Sequence, residues 1–203
     1  MFIVGITGGT GAGKTSALMA LLALGANIID CDELYHKLLV ENNDLKAELG
    51  AGFDGVLCDG IIDRRRLGEI VFNNPEALKK LNALSHRYVD TEVQRRILVW
   101  AKSGETLTAI DAIALIESGL STKCDVTVAI YAQKEIRISR IIKRDSITRE
   151  KAEARISAQK PDDFYISNSD YSLENNYDSP MKFEEVCKDF FTQILLKHNA
   201  GGF

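Results

Sequence analysis

What this chain lacks narrows its class before any motif is read. Its four cysteines, Cys31, Cys58, Cys124 and Cys187, stand far apart with no C-x-x-C pair. That spacing excludes a zinc or disulfide framework and reads as reduced thiols in a cytoplasmic protein. No uninterrupted apolar run approaches the roughly 18 residues needed to cross a bilayer, and no basic-then-apolar leader stands ahead of the first motif, so neither membrane nor secretion is expected. The basic excess of a nucleic-acid binder is absent too. The formal net charge is −4, and the local basic clusters at 64–66 and 137–155 suit a small anionic ligand rather than nucleic acid. Repeats and low-complexity segments are missing, and no frame of the early glycines gives the G-x-G-x-x-G dinucleotide fingerprint. At 203 residues, 45 % apolar, the chain is long enough for one substantial core and a small inserted subdomain, as a monomer or weak homo-oligomer.

What is present is Gly8-Gly9-Thr10-Gly11-Ala12-Gly13-Lys14-Thr15, a complete G-x-x-x-x-G-K-[ST] run set behind the apolar stretch 1–6 and ahead of a helix over 16–24. Glycine lets the backbone take positive φ and wrap close to an oligophosphate, with successive N–H groups and the helix N-terminus aimed at the anion. Gly9, Thr10, Gly11, Ala12, Gly13 and Ser16 would line that cradle. Lys14 would reach the β- and γ-phosphates and Thr15 would hold Mg²⁺. The motif therefore points to a user of nucleoside triphosphates.

Apolar, β-rich runs at 2–6, 27–30, 106–110 and 126–131 alternate with helical stretches, the pattern of a doubly wound α/β core with a parallel sheet. A helical block over 32–102, with starts near Asp32, Asp44, Asp63, Asn74 and Thr91, reads as a substrate-binding subdomain. After the fourth strand, 135–143 carries Ile138, Ile141 and Ile142 on one face. Arg137, Arg140 and Arg144 recur on the other, an arginine face presented to one ligand. The break at Asp145-Ser146-Ile147-Thr148, a cap at Thr148 and a second helix over 150–159 make a lid. A loop at 160–163, a short strand over 171–174 and an amphipathic helix over 183–198 close the chain. The expected organisation is a nucleotide core of 1–31, 104–135 and 170–203, a subdomain of 32–103 and a lid of 136–169.

Asp30 and Asp32 fall at the carboxyl edge of the second strand, where open α/β sheets bind ligands. Asp32 is the candidate base for an acceptor hydroxyl, with an N-cap of the following helix as its plainer role. Asp30 reads as structural or as a magnesium-shell carboxylate. Asp111, ending the third strand, is placed to order Mg²⁺ through water. Arg64, Arg65 and Arg66 open a helix in the inserted block, mostly as a solvated face from which one reaches a substrate phosphate. His36 lies one turn beyond Asp32 and His86 falls within a long helix, both on the acceptor side.

These segments together resemble the dephospho-CoA kinase family over nearly the whole chain. The likeness rests on Gly5 through Thr15, Ile29 through Asp32 with His36, Gly60 through Arg64 with Leu67, Leu81 through Leu84 with His86, Glu117-Ser118-Gly119-Leu120, Arg140, Arg144-Asp145, Arg155-Ile156 with Gln159, and Asp170 through Asn175. It implies a P-loop three-layer α/β/α kinase that uses ATP and Mg²⁺ to phosphorylate the 3′-hydroxyl of dephospho-CoA, the last step of coenzyme A synthesis. By resemblance Asp32 matches the base, Arg140 and Arg144 the lid arginines near the phosphates, Asn175 a position near the adenine, and His36, Arg64, His86 and Glu117 substrate contacts. Arg87, Ile113, Ala114, Ile116 and Phe164-Tyr165 depart from the family pattern and fall where the acceptor should lie. A related nucleoside or nucleotide kinase with another acceptor, or a catalytically weak nucleotide-binding homologue, are the alternative readings.

Overall fold

The computed structural model describes residues 1–72 and 74–201, so the last two positions of the expected core, 202 and 203, lie outside the described residues. Two compact units are present, one made of Met1–Ile29 with Gly104–Phe203 and the other of Asp30–Ser103.

In chain order, the first unit opens with β1 (Phe2–Thr7), α1 (Lys14–Ala23) and β2 (Asn27–Asp30), whose last residue, Asp30, begins the second unit. The second unit follows, with α2 (Cys31–Glu41), α3 (Asn43–Gly52), β3 (Leu57–Cys58), β4 (Ile61–Ile62), α4 (Arg64–Phe72) and α5 (Pro75–Lys102). The first unit resumes with β5 (Leu107–Asp111), β6 (Val126–Tyr131), α6 (Lys134–Asp145), α7 (Arg149–Ser157), α8 (Asp162–Ser167), β7 (Tyr171–Glu174) and α9 (Pro180–Asn199). The sheet order is β2-β5-β1-β6-β7. β1 runs parallel to β5 and β6, and β6 parallel to β7, so the short strand expected at 171–174 forms one edge. Near-continuous apolar strands such as Phe2–Thr7 suit a sheet covered on both faces. One face buries Phe2, Val4 and Ile6 with Leu21 of α1 and Phe183, Phe191 and Ile194 of α9.

The register Ile6↔Asp111 and Thr7↔Ala129 aligns the carboxyl ends of β1, β5 and β6. The phosphate loop after β1 and the carboxylate ending β5 therefore share one sheet edge, the edge at which such sheets bind ligands.

The second unit corrects three expectations. No helix starts at Thr91, because α5 runs unbroken from Pro75 to Lys102. The Thr91 hydroxyl donates to the Arg87 carbonyl at 2.8 Å, back-bonding within the helix instead of capping a new one. The N-cap of α2 is Asp30, not Asp32: its Oδ1 accepts from the Asp32 and Glu33 amides, each at 2.9 Å. A β3–β4 hairpin interrupts the helical block, turning through Asp59 at φ 49° and Gly60 at φ 76°, a D-G turn flanked by apolar residues.

The two helices expected over 135–143 and 150–159 fall close to those bounds. Ser146 takes φ 52° to end α6, and Thr148 caps α7 by accepting from the Lys151 amide at 3.5 Å. The expected 160–163 loop is shorter, since α8 begins at Asp162 and draws two carboxylates into its first turn, where the helix dipole favours them. Arg137 does not join an exposed arginine face. It is 3 % exposed, on the same side as Ile138 and Ile141.

Candidate active site

The phosphate loop is shaped by backbone that only glycine supplies cheaply. Gly8 has φ 130° and Gly13, the N-cap of α1, has φ 104°. A Cβ on Gly8 would stand 2.0 Å from the Ile130 carbonyl oxygen, and one on Gly13 2.0 Å from Asn175 Nδ2. The loop thus lies flush against β6 on one side and Asn175 on the other.

Lys14 arches back over this loop. Its Nζ donates to the Gly8 carbonyl at 3.2 Å and stands 3.9 Å from Asp111 Oδ1. Two opposite charges are so aligned at the edge between β1 and β5. Thr15 is exposed in the first turn of α1, whereas Ser16 is buried. No acidic side chain occupies that first turn, leaving the positive end of the helix to an anion.

Arg140 is gripped by oxygens of neutral groups. Nη1 donates to the Gly11 and Ala12 carbonyls, each at 3.3 Å, and Nη2 to Asn175 O at 3.1 Å, Asn175 Oδ1 at 3.0 Å and Tyr177 O at 2.8 Å. Burial lowers its pKa from the usual guanidinium value, partly offset by Asp178. The cation is thereby built into the wall of the phosphate loop. Asn175, 3 % exposed, donates Nδ2–H to the Ala12 carbonyl at 2.8 Å, completing that wall. Arg144 forms a two-pronged pair with Asp145 at 2.7 and 3.0 Å, with Nη2 3.5 Å from Thr10 Oγ1. Asp145 also accepts from Arg155, and hydrogen bonding to Arg144 foremost holds its carboxyl below the ordinary range.

Glu117 is exposed in the turn after β5, and its charge, second to burial, raises the pKa of the buried Tyr165 phenol. At several of the departing positions the main chain is held by hydrogen bonds. Ile113 O accepts from Thr7 Oγ1 at 3.1 Å, and Ala114 and Ile116 carbonyls accept from Ser118 and Gly119 in tight turns. Phe164 lies under Lys160 Nζ at 5.3 Å and edge-on to Tyr165.

In the second unit Asp32 is exposed in the first turn of α2, just beyond the Asp30 cap. His36 Nε2 and Arg64 Nη2 are 2.8 Å apart. A guanidinium can only donate, so His36 accepts there and carries any single proton on Nδ1. Arg65 pairs with Glu69 at 3.1 Å and Arg66 donates to the Asp54 carbonyl at 3.1 Å, so Arg64 is the member of the triplet bound to His36. His86 is half-buried on α5. Arg87 pairs with Glu48 and stacks on Tyr88 at 5.0 Å, tying α5 to α3.

Among the described residues no group of three or more His, Cys, Asp or Glu could hold a metal ion by itself. Magnesium takes one or two protein oxygens and fills its shell with water and phosphate oxygens. Thr15 and Asp111 offer a hydroxyl and a carboxylate of that kind, so the donor chemistry fits the ion.

Sequence reasoning undervalued Arg137 and missed Asp162. The available signal was spacing, because Arg137 precedes Ile138 and stands four residues before Ile141, on the stripe that packs inward.

Comparison with known proteins identifies the family and the fold. The family model described as dephospho-CoA kinase matches residues 2–181. The dephospho-CoA kinase of Geobacter sulfurreducens is 32 % identical over 195 residues, covering 95 % of this chain and 98 % of that one. The solved dephospho-CoA kinase from Campylobacter jejuni superposes with a TM-score of 0.66 at 26 % identity, covering 99 % of this chain and 98 % of the other. A shikimate kinase from Acinetobacter baumannii, at 16 % identity with a TM-score of 0.59 over 97 % and 94 % of the two chains, shares the fold.

Proposed function

The chain belongs to the dephospho-CoA kinase family, and from that membership we propose how its residues divide the work of moving the ATP γ-phosphoryl group to the 3′-hydroxyl of dephospho-CoA. Gly9 through Ser16 cradle the triphosphate, with Lys14 at the β- and γ-phosphates and Asn175 and Arg140 behind the loop. Residues 136–169 act as the lid, and Arg144 exchanges its Asp145 partner for phosphate oxygens. Residues 32–103 receive the acceptor, with His36, Arg64 and His86 lining its place, and Glu117 contributes from the core.

Asp32 takes the proton of the 3′-hydroxyl as that oxygen bonds to the γ-phosphorus, and the bond to the β–γ bridging oxygen breaks to release ADP. Its exposed position supports this role. The Asp30 cap frees its carboxylate from helix capping. Thr15 and Asp111 would hold Mg²⁺, which neutralises phosphate charge as it builds. The protein works in the cytoplasm on a small molecule, without nucleic acid, as a monomer or weak homo-oligomer.

The observation that carries the reading is Lys14 of a complete phosphate loop held between the Gly8 carbonyl and Asp111. Asp32→Asn tests the base, since it keeps the shape and removes the proton acceptor. General-base loss costs about 10²–10⁴-fold in kcat, with the KM for ATP expected to stay within about twofold. A kcat within about fivefold of the parent would remove Asp32 from the role.

A further inference from the structure

Arg137 is the one fully charged side chain among the described residues that the core buries, and the division of labour above gives it no task. Its guanidinium fork points three ways. Nε donates to the Thr10 carbonyl at 2.9 Å, Nη1 to Asp162 Oδ1 at 2.6 Å and Nη2 to Gln159 Oε1 at 3.4 Å. Gln159 Oε1 in turn accepts from the Thr10 amide at 2.8 Å. Both backbone polar groups of Thr10 are therefore occupied, the carbonyl by Arg137 and the amide by Gln159. A Cβ on Gly9 would lie 2.1 Å from Arg137 Nη2, so the loop backbone rests directly on the guanidinium.

A charge taken this far from water persists only when paired and hydrogen-bonded, and Asp162 supplies the counter-charge from the first turn of α8. Lysine keeps the charge, but its three donors sit on one nitrogen at the end of a flexible stem and lack the rigid planar fork that spans these three acceptors. We propose that Arg137, with Gln159 and Asp162, is a positioning assembly that fixes Gly9 and Thr10 of the phosphate loop from the lid side, so that the loop meets ATP already shaped. This rests on the reading of residues 8–16 as the nucleotide site. Preorganisation of this kind acts on nucleotide affinity and leaves the acceptor alone.

The test uses the full-length protein and three variants: Gln159→Met, Arg137→Lys and Asp162→Asn. Steady-state kinetics with ATP and dephospho-CoA is run beside calorimetric binding of ATP with Mg²⁺ in the absence of acceptor. Losing a hydrogen bond to a charged or loop-fixing partner weakens binding by about tenfold or more. Gln159→Met and Arg137→Lys should each raise both the Kd and the KM for ATP by about that factor, with the KM for dephospho-CoA within about twofold of the parent. Asp162→Asn should produce a smaller rise of the same kind.

A purely structural role would lower the active fraction, and with it apparent kcat, while leaving the KM for ATP unmoved. That result overturns the proposal. Should Arg137→Lys fail to fold, Gln159→Met decides alone, because it removes no buried charge. If the parent binds ATP and makes no coenzyme A, the functional reading fails, and the Kd values still decide this one.

Discussion

Gly13→Ala probes the most tightly built point of the phosphate loop. Two costs arise separately. An alanine held at φ 104° and ψ 28° leaves the favoured regions, which costs about 2 kcal/mol. The new Cβ, 2.0 Å from Asn175 Nδ2, must also push that side chain away. Asn175 then forfeits its 2.8 Å bond to the Ala12 carbonyl and its 3.0 Å bond from Arg140, leaving buried polar groups unmatched for about 2 kcal/mol more. The sum is about 4 kcal/mol, and for a chain of this size it lowers Tm by about 8–16 °C.

Asn175→Ala separates the two costs. It removes the displaced amide at about 2 kcal/mol by itself, so the double variant should cost about 4 kcal/mol, not the 6 of simple addition. Urea or thermal unfolding of the parent, both single variants and the double variant measures this coupling of about 2 kcal/mol. Additivity within about 0.5 kcal/mol would refute the claim that Asn175 is what Gly13 makes room for. Gly8→Ala offers no such rescue, since its obstacle is the Ile130 carbonyl of the main chain.

Two further outcomes follow from the second unit. Asp30→Ala removes the acceptor of two α2 amides. It should cost about 1–2 kcal/mol, seen as a Tm drop of about 2–8 °C, while Asp30→Asn stays near the parent. Glu92, hydrogen-bonded foremost to Arg95 and also to Arg96, has its carboxyl lowered from 4.5 to about 2. A depressed carboxylate stabilises above its unfolded value and loses that contribution as pH falls. Glu92→Gln should therefore unfold earlier than the parent at neutral pH, and the gap should narrow as the pH drops from 4.5 to 2 in chemical denaturation.

Much of the fold was legible because its signals are local. The apolar runs gave the strands, Thr148 and Asn74 gave helix starts by capping, and the Gly-rich run gave the phosphate loop whole. What escaped depended on tertiary context. Thr91 looks like a cap until its hydroxyl is seen bonding one turn back, and Asp30 and Asp32 compete for one cap in a way that two residues of spacing cannot resolve. The Asp59-Gly60 turn was readable, yet its two-residue strands are too short to leave an alternating pattern. In the site, residue types and order located the loop and put Lys14 and Asp111 at one sheet edge. The partners of the arginines stayed hidden: spacing sets Arg137 on the inward stripe, yet it does not say that Asp162 meets it, that carbonyl oxygens hold Arg140 or that Arg144 pairs with Asp145.

The central claim is that this phosphate loop serves transfer to one hydroxyl of dephospho-CoA. The direct measurement incubates the purified protein with ATP, Mg²⁺ and dephospho-CoA and follows ADP and acceptor by mass, with phosphorus NMR to place the new ester. The account predicts coenzyme A phosphorylated on the 3′-oxygen in equal amount to ADP, with Lys14→Ala making neither. ADP formed without coenzyme A, or a phosphoryl group delivered to a different acceptor in preference, would contradict it.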